Sequence, residues 1–245
     1  MKINFGYLLT ISLVTALGGL LFGFDISVIS GTISFLQDYF SLNEAMKGWV
    51  VSSALLVFIG GAACAGKFGD MVGRKTVLLI TSVFFGVSAI GSGFSSSIAA
   101  FVIYRIVGGL AVGAASMIAP MYIAEVSPGY IRGRMVSLNQ LTIVLGISLA
   151  YYSNYFLLSL GENAWRWMFA AEAVPSFLFL IMLFVVPESP RWLAIRKKED
   201  PAKKVFARIG GSDFAESELV NIEKSYKKSS ENLVLKDVLL PKYRK

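Results

Sequence analysis

The sequence predicts an all-α membrane protein: a bundle of six transmembrane helices over residues 1–187, then a short cytoplasmic helical domain over 188–245. Three observations predict it. The chain is 55% hydrophobic, with mean hydropathy +0.64. Only 16% of its residues are charged, against about 25% in soluble domains. Those charges are also unevenly placed. From Ile3 to Gln37 only Asp25 is charged, and from Thr76 to Ala124 only Arg105. A soluble helix must show water a polar face, and these stretches have none.

A spanning helix needs roughly 20 mostly apolar residues. Six segments qualify: 6–36, 48–68, 76–95, 98–120, 135–158 and 167–187. The first follows a positive Lys2, as a signal peptide would. It is long, lacks a clear small-residue cleavage site and precedes further apolar segments, so it reads as a spanning helix kept in the product. Lys and Arg in the connections set the orientation. One set of ends holds Lys2, Lys67, Arg74, Lys75, Arg132 and Arg134; the other holds Lys47 and Arg166. Both termini are therefore expected in the cytoplasm, with the chain crossing the inner membrane several times.

The tail after Pro187 carries fourteen Lys and Arg and nine Asp and Glu, so it reads as soluble. Asp200-Pro201 suggests a helix cap and Gly210-Gly211 a stop. Leu219, Ile222 and Tyr226 fall at helical spacing, and Leu233, Val234, Val238 and Leu239 suggest another short helix. This tail is either a helical cap with a solvated basic face or a binder of anionic lipid headgroups; its interspersed acids favour the cap.

Three ionisable residues lie inside predicted spans: Asp25, Arg105 and Glu172. Each costs about 2.5–3.5 kcal/mol at mid-bilayer on insertion scales, and such residues usually face a cavity or one another. At about 1.5 Å per residue, all three can share one depth in the outer half. A carboxylate holds its proton more tightly when buried alone and less tightly beside an arginine. A carboxylate alternating between those settings can carry a proton. Spacing alone leaves a static ion pair between helices one and four equally open. Gln140, in an otherwise apolar stretch, suits sugar hydroxyls but also serves as interhelical glue. Phe22 can stack on a sugar face or simply pack. Gly18, Gly19, Gly23, Gly60, Gly61, Gly108, Gly109 and Gly113 fall where helices can approach closely. No strand–turn–helix context gives these glycines a nucleotide-binding reading.

There is no histidine, and Cys64 is the sole cysteine. That removes the usual near-neutral proton carrier and the commonest metal ligand. No nucleophile–base pairing or metal constellation stands out. An enzyme, a metal, a cofactor and a nucleic-acid partner are not expected.

The link "GKFGDMVGRK", Gly66 to Lys75, matches the G-x-x-x-D-x-x-G-R-K pattern of the major facilitator superfamily. Its glycines permit a tight turn, Asp70 can cap a helix and Arg74 can pair across a gate. With "YIAEVSPGYIRGR" (Tyr122 to Arg134) and "PESPRW" (Pro187 to Trp192), the chain resembles the sugar porter family. "GFDISVISGT", "YRIVGGLAVG", "NQLTIVLGI" and "WRWMFAAE" resemble that family's motifs without gaps, most closely those of its bacterial proton-coupled pentose and hexose members.

The resemblance implies one half of a major facilitator fold, built as a 3+3 inverted repeat. It implies alternating-access symport of protons with a pentose or hexose such as xylose. Asp25 and Arg105 inherit the proton-coupling pair, and Glu172 a lesser part in coupling. Asp25 itself favours symport, since uncoupled facilitators of the family carry Asn there. Gln140 inherits a sugar-ligand role, and Phe22 that of a lining aromatic. Gly66, Asp70, Gly73, Arg74, Glu125, Arg132, Glu188 and Arg191 inherit the cytoplasmic gate. The family has twelve spans in two halves, so the resemblance also implies a second, C-terminal six-helix bundle that this chain lacks. The rival functions are an uncoupled sugar facilitator and a membrane sugar sensor or interaction subunit that does not transport.

Overall fold

The computed structural model describes residues 3–230, with side chains to 225. The expectations resting on Lys2, on the Tyr226 side chain and on a helix at Leu233, Val234, Val238 and Leu239 lie outside the described residues. The chain divides into two compact units, and the described secondary structure is helical throughout.

The larger unit is Gly6–Ser189. Its helices are α1 (Phe5–Phe40), α2 (Glu44–Val72), α3 (Arg74–Gly93), α4 (Ile98–Val126), α5 (Arg132–Leu157), α6 (Ala164–Ala170) and α7 (Ala173–Leu183). Side chains cap two of the starts. Asn43 accepts from Met46 N at 2.8 Å, and Ser97 accepts from Ala100 N at 3.3 Å. Each bond satisfies one of the amides a helix start leaves without a partner. Pro120 lies within α4.

Among the described residues, five stretches are long and apolar enough to cross a membrane: Phe5–Phe40, Glu44–Val72, Arg74–Gly93, Ile98–Val126 and Arg132–Leu183. The last takes in both the fifth and the sixth predicted segments. A straight helix of its 52 residues would be about 78 Å long, far more than a bilayer core of about 30 Å. The chain breaks it at Gly161, whose φ is +72°. It breaks again at Ala171–Glu172, between α6 and α7.

Close approaches need glycine at particular crossings. A Cβ on Gly146 would overlap the Leu20 carbonyl, and one on Gly23 the Ile143 carbonyl, so α1 and α5 pack backbone to backbone there. Gly109 and Gly113 meet the Ala54 and Phe58 carbonyls of α2 in the same way. Gly60, expected in this group, has open space beside it. Gly146→Leu is therefore expected to cost at the upper end of the ~1–3 kcal/mol typical of overpacking, because the obstacle is backbone. Gly60→Leu is expected to be neutral, and melting temperatures in detergent compare the two.

At the end of this unit opposite Gly73, an aromatic cluster buries Phe24, Phe101, Trp165 and Phe169 with Leu36 and Met168. Phe101 meets Phe169 edge-on at 5.2 Å. Arg166 lies over the rings of Tyr39 and Trp165, at 4.9 and 4.4 Å. It also donates to the carbonyls of Gly93 and Ser95, at 3.1 and 2.8 Å.

The described part of the second unit is residues 3–5 and 190–230. It holds α8 (Pro190–Ile195), α9 (Glu199–Gly210) and α10 (Ser212–Ser230). Their core is Leu193, Ala202, Val205, Phe206, Ile209, Phe214 and Ala215. The Asn4 amide donates to the Ile209 carbonyl at 2.8 Å. Gly211, φ +86°, ends α9 as expected. The cap does not fall where the sequence suggested. Lys198 precedes the helix, and Asp200 and Pro201 lie in its first turn.

Candidate functional site

Asp25 lies mid-way along α1 and Arg105 two turns into α4. Arg105 Nη1 donates to Asp25 Oδ1 at 2.5 Å and Nη2 donates to Oδ2 at 3.2 Å, a two-point pair of planar groups. The two side chains are 2% and 4% exposed. Phe169 places its ring 5.6 Å from the guanidinium carbon. A Cβ on Gly108 would overlap Ser88 Oγ and come 3.5 Å from Asp25 Oδ1, so glycine is what lets α3 and α4 close around the carboxylate.

Glu172 is 1% exposed at the junction of α6 and α7. Asp25 and Arg105 are the charges that act on it. Its carboxyl lies within hydrogen-bonding reach of Asp25, a contact that needs a proton on one of the two acids. No other group among the described residues donates to its oxygens, and Arg105 Nε finds no acceptor. The chain thus brings together two acids and one base, of which two are bonded to each other. Arg105 has a spare donor while Glu172 has spare acceptors. The chemistry open to such a trio is exchange of partners and of a proton.

A cavity of about 240 Å³ opens beside the pair. Its lining comes from α1 (Asp25, Ile26, Ile29, Ser30), α2 (Val51, Ala54, Leu55, Phe58) and α4 (Arg105, Gly109, Val112). Phe22 is outside that lining but stacks on Phe58 at 5.9 Å. Gln140 is exposed on α5, away from the cavity lining. The structure therefore unites Asp25, Arg105 and Glu172 but does not bring Gln140 to them. Its neighbour on α5, Asn139, is the amide that is buried.

The second cluster lies where α2 meets α3. Arg74 is 5% exposed. Its Nε donates to Glu125 Oε2 at 3.0 Å, its Nη2 to Glu125 Oε1 at 3.0 Å, and its Nη1 to the Gly69 carbonyl at 2.9 Å. Nη2 also lies 2.9 Å from Asp70. Asp70 therefore does not cap α3, as the sequence suggested. It sits in the last turn of α2, and Gly73 precedes α3 without a side-chain bond. Glu188 accepts from the amides of Lys75 at 3.0 Å and Ser189 at 2.8 Å. Gly73 has φ +102°, and its missing side chain leaves the space that the Glu188 carboxylate fills. Gly73→Ala is expected to cost at least ~1 kcal/mol in backbone strain alone, read as a lower melting temperature.

Not every expected gate residue joins this cluster. Arg132 is exposed at the start of α5 and forms no ion pair among the described residues. Arg191 belongs to the second unit, on α8. Gly66 has room for a side chain, with the nearest atom, Met117 Cε, 3.5 Å away. Gly69, against Ile118, is tighter than Gly66. Sequence reasoning missed two partners. Ser189 Oγ donates to Glu125 at 2.5 Å, and the buried Tyr122 hydroxyl donates to the Pro187 carbonyl at 2.8 Å. Both lie inside quoted motifs, but neither is charged, and charge was the signal followed.

The profile of the family described as "Sugar (and other) transporter" matches residues 11–243. The arabinose-proton symporter of Bacillus subtilis is 42% identical over 230 residues, covering 91% of this chain and 50% of the relative. The D-xylose-proton symporter of Escherichia coli is 41% identical over 254 residues, covering 91% and 52%. A solved structure of the proton:xylose symporter XylE bound to 6-bromo-6-deoxy-D-glucose superposes with TM-score 0.89 at 40% identity. It covers 94% of this chain and 55% of that one. The chain spans about half the length of the curated relatives it matches.

Proposed function

This chain belongs to the sugar (and other) transporter family, and from that premise we propose that it is the N-terminal bundle of a proton-coupled monosaccharide transporter. Its relatives include arabinose-proton and D-xylose-proton symporters, so a pentose or hexose is the proposed substrate. In this reading the bundle crosses the inner membrane six times, with α6 and α7 together making the sixth crossing and both termini in the cytoplasm. A second six-helix bundle completes the sugar site. Gln140 and Phe22 contribute to that site from this side. Arg74, Glu125, Asp70, Gly73 and Glu188 form the cytoplasmic gate, with Gly66, on α2, and Arg132, at the start of α5, outside the bonded cluster. Transport breaks no bond of the sugar, so no catalytic side chain is called for.

The observation that carries the reading is the buried two-point bond between Asp25 and Arg105, with Glu172 beside it. Outside the cell a proton neutralises Asp25 and frees Arg105, and Glu172 offers the freed guanidinium another carboxylate. Sugar then binds, and the bundle rocks against its partner. A bundle held together only by packing needs no charges at this depth, and each is costly there.

The test is sugar counterflow in liposomes with xylose, glucose, galactose and arabinose. It uses the 245-residue chain alone and paired with the C-terminal half of the E. coli D-xylose-proton symporter. Exchange of one sugar by either sample is expected and names the substrate. No exchange of any of the four by either folded sample overturns the reading.

A further inference from the structure

The cavity beside the ion pair follows the cleft between α1 and α2. The two helices are antiparallel: Ile26, Ile29 and Ser30 of α1 share the cavity with Val51, Ala54, Leu55 and Phe58 of α2, and Phe58 also stacks on Phe22. Asp25 and Arg105 form its charged wall, and no residue of α5 lines it. Ser30, exposed, is the polar side chain one turn beyond Asp25. The Phe22–Phe58 stack lies one turn the other way, toward Gly73. A volume of about 240 Å³ far exceeds the ~10–15 Å³ that one water needs.

We propose that this α1–α2 cleft is the aqueous path by which a proton reaches Asp25 from outside, separate from the α5 face that carries Gln140. The proposal rests on the transport reading and its orientation, and it adds the route. A hydronium in the cleft transfers its proton to an Asp25 carboxylate oxygen and leaves as water. The charges facing that oxygen are Arg105 from α4 and Glu172 from the α6–α7 junction. The apolar Phe22–Phe58 stack closes the cleft on the cytoplasmic side, so the path opens in one direction only. Ser30 supplies the hydroxyl that orders water at its mouth.

The test does not depend on transport. Cys64 is exposed, so the variants are built on Cys64→Ser. Ser30→Cys is compared in liposomes with Ile181→Cys, on an apolar face and 65% exposed, and with Val28→Cys, fully buried. The probe is a charged, membrane-impermeant thiol reagent added outside. It reacts with the thiolate, which forms in water and not in lipid. Ser30→Cys is expected to react at least ~10 times faster than Ile181→Cys. Equal rates would place Ser30 in lipid and overturn the proposal, whatever the fate of the transport reading. As a second readout, Ser30→Trp fills the mouth. Uptake driven by a pH gradient is expected to fall about tenfold, a barrier rise of about 1.4 kcal/mol, while counterflow persists. Equal loss of both would assign Ser30 to the sugar path and also overturn the proposal.

Discussion

Asp25→Asn is expected to abolish accumulation of sugar against its gradient while leaving counterflow intact. Asparagine keeps the shape of the carboxylate and can still accept one hydrogen bond from Arg105. It cannot carry a proton on and off. Each of its two states in the cycle then resembles the protonated acid, so sugar exchanges but nothing drives it uphill. The buried guanidinium loses its bonded counter-charge, yet Glu172, whose oxygens no base among the described residues donates to, stands ready to compensate. The folded protein should therefore survive the substitution, whereas Asp25→Asn combined with Glu172→Gln should not. The measurement is radiolabelled uptake under an imposed pH gradient beside equilibrium exchange in the same vesicles. Uphill accumulation by Asp25→Asn would remove Asp25 from the coupling step and leave it a static tie between α1 and α4.

Arg74→Ala should be the most damaging single change in the second cluster. It removes every bond to Glu125, the bond to the Gly69 carbonyl and the pairing with Asp70. Glu125, whose side chain is 9% exposed, is then a buried charge with only Ser189 to solvate it. Stranding one member of a buried pair costs about 3–5 kcal/mol, expected here as a clear fall in melting temperature in detergent. Arg74→Lys should recover only part of that, because an ammonium cannot reproduce the fork. Arg132→Ala supplies the contrast: the residue is exposed, and its loss is expected to leave stability unchanged. Equal melting temperatures for Arg74→Ala and Arg132→Ala would mean that the Arg74 contacts contribute nothing.

Much of this molecule could be read from residue types alone, because a bilayer punishes charge so strongly. The lone Asp25 and Arg105 announced themselves by isolation, and their pairing followed from matching depth. The long apolar runs gave the helix bounds to within about four residues at α1, α2 and α3, and stopped six residues short of the end of α4. The last third was harder. The break at Ala171–Glu172 did have a signal, hidden by the apolar run around it: Pro175, in the first turn of α7, has no amide to donate to the Ala171 carbonyl, and its ring crowds that carbonyl. Asp70 was misassigned for a different reason. Acids favour helix starts, but Arg74 one turn away offered this one a charged partner. Gly60 was grouped with glycines at crossings because periodicity marks a face without saying whether another helix lies against it. Gln140 and its neighbour Asn139 show the same limit: sequence fixes that an amide is present, and only the packing of α5 decides which of the two is buried.

Arg166 has mechanical consequences. It holds the aromatic ring of α1 and the carbonyls after α3 from its own position on α6. Three helix ends are thereby stapled by one side chain that keeps its charge at every pH of interest. A lever transmits a stroke only if it does not bend. If the bundle rocks as proposed, stapled ends would pass a small displacement at one helix to the others with little lost in local flexing, and protonation at Asp25 and movement at the far end would belong to one stiff part. Slack at Arg166 would appear as lost stroke, not as lost chemistry.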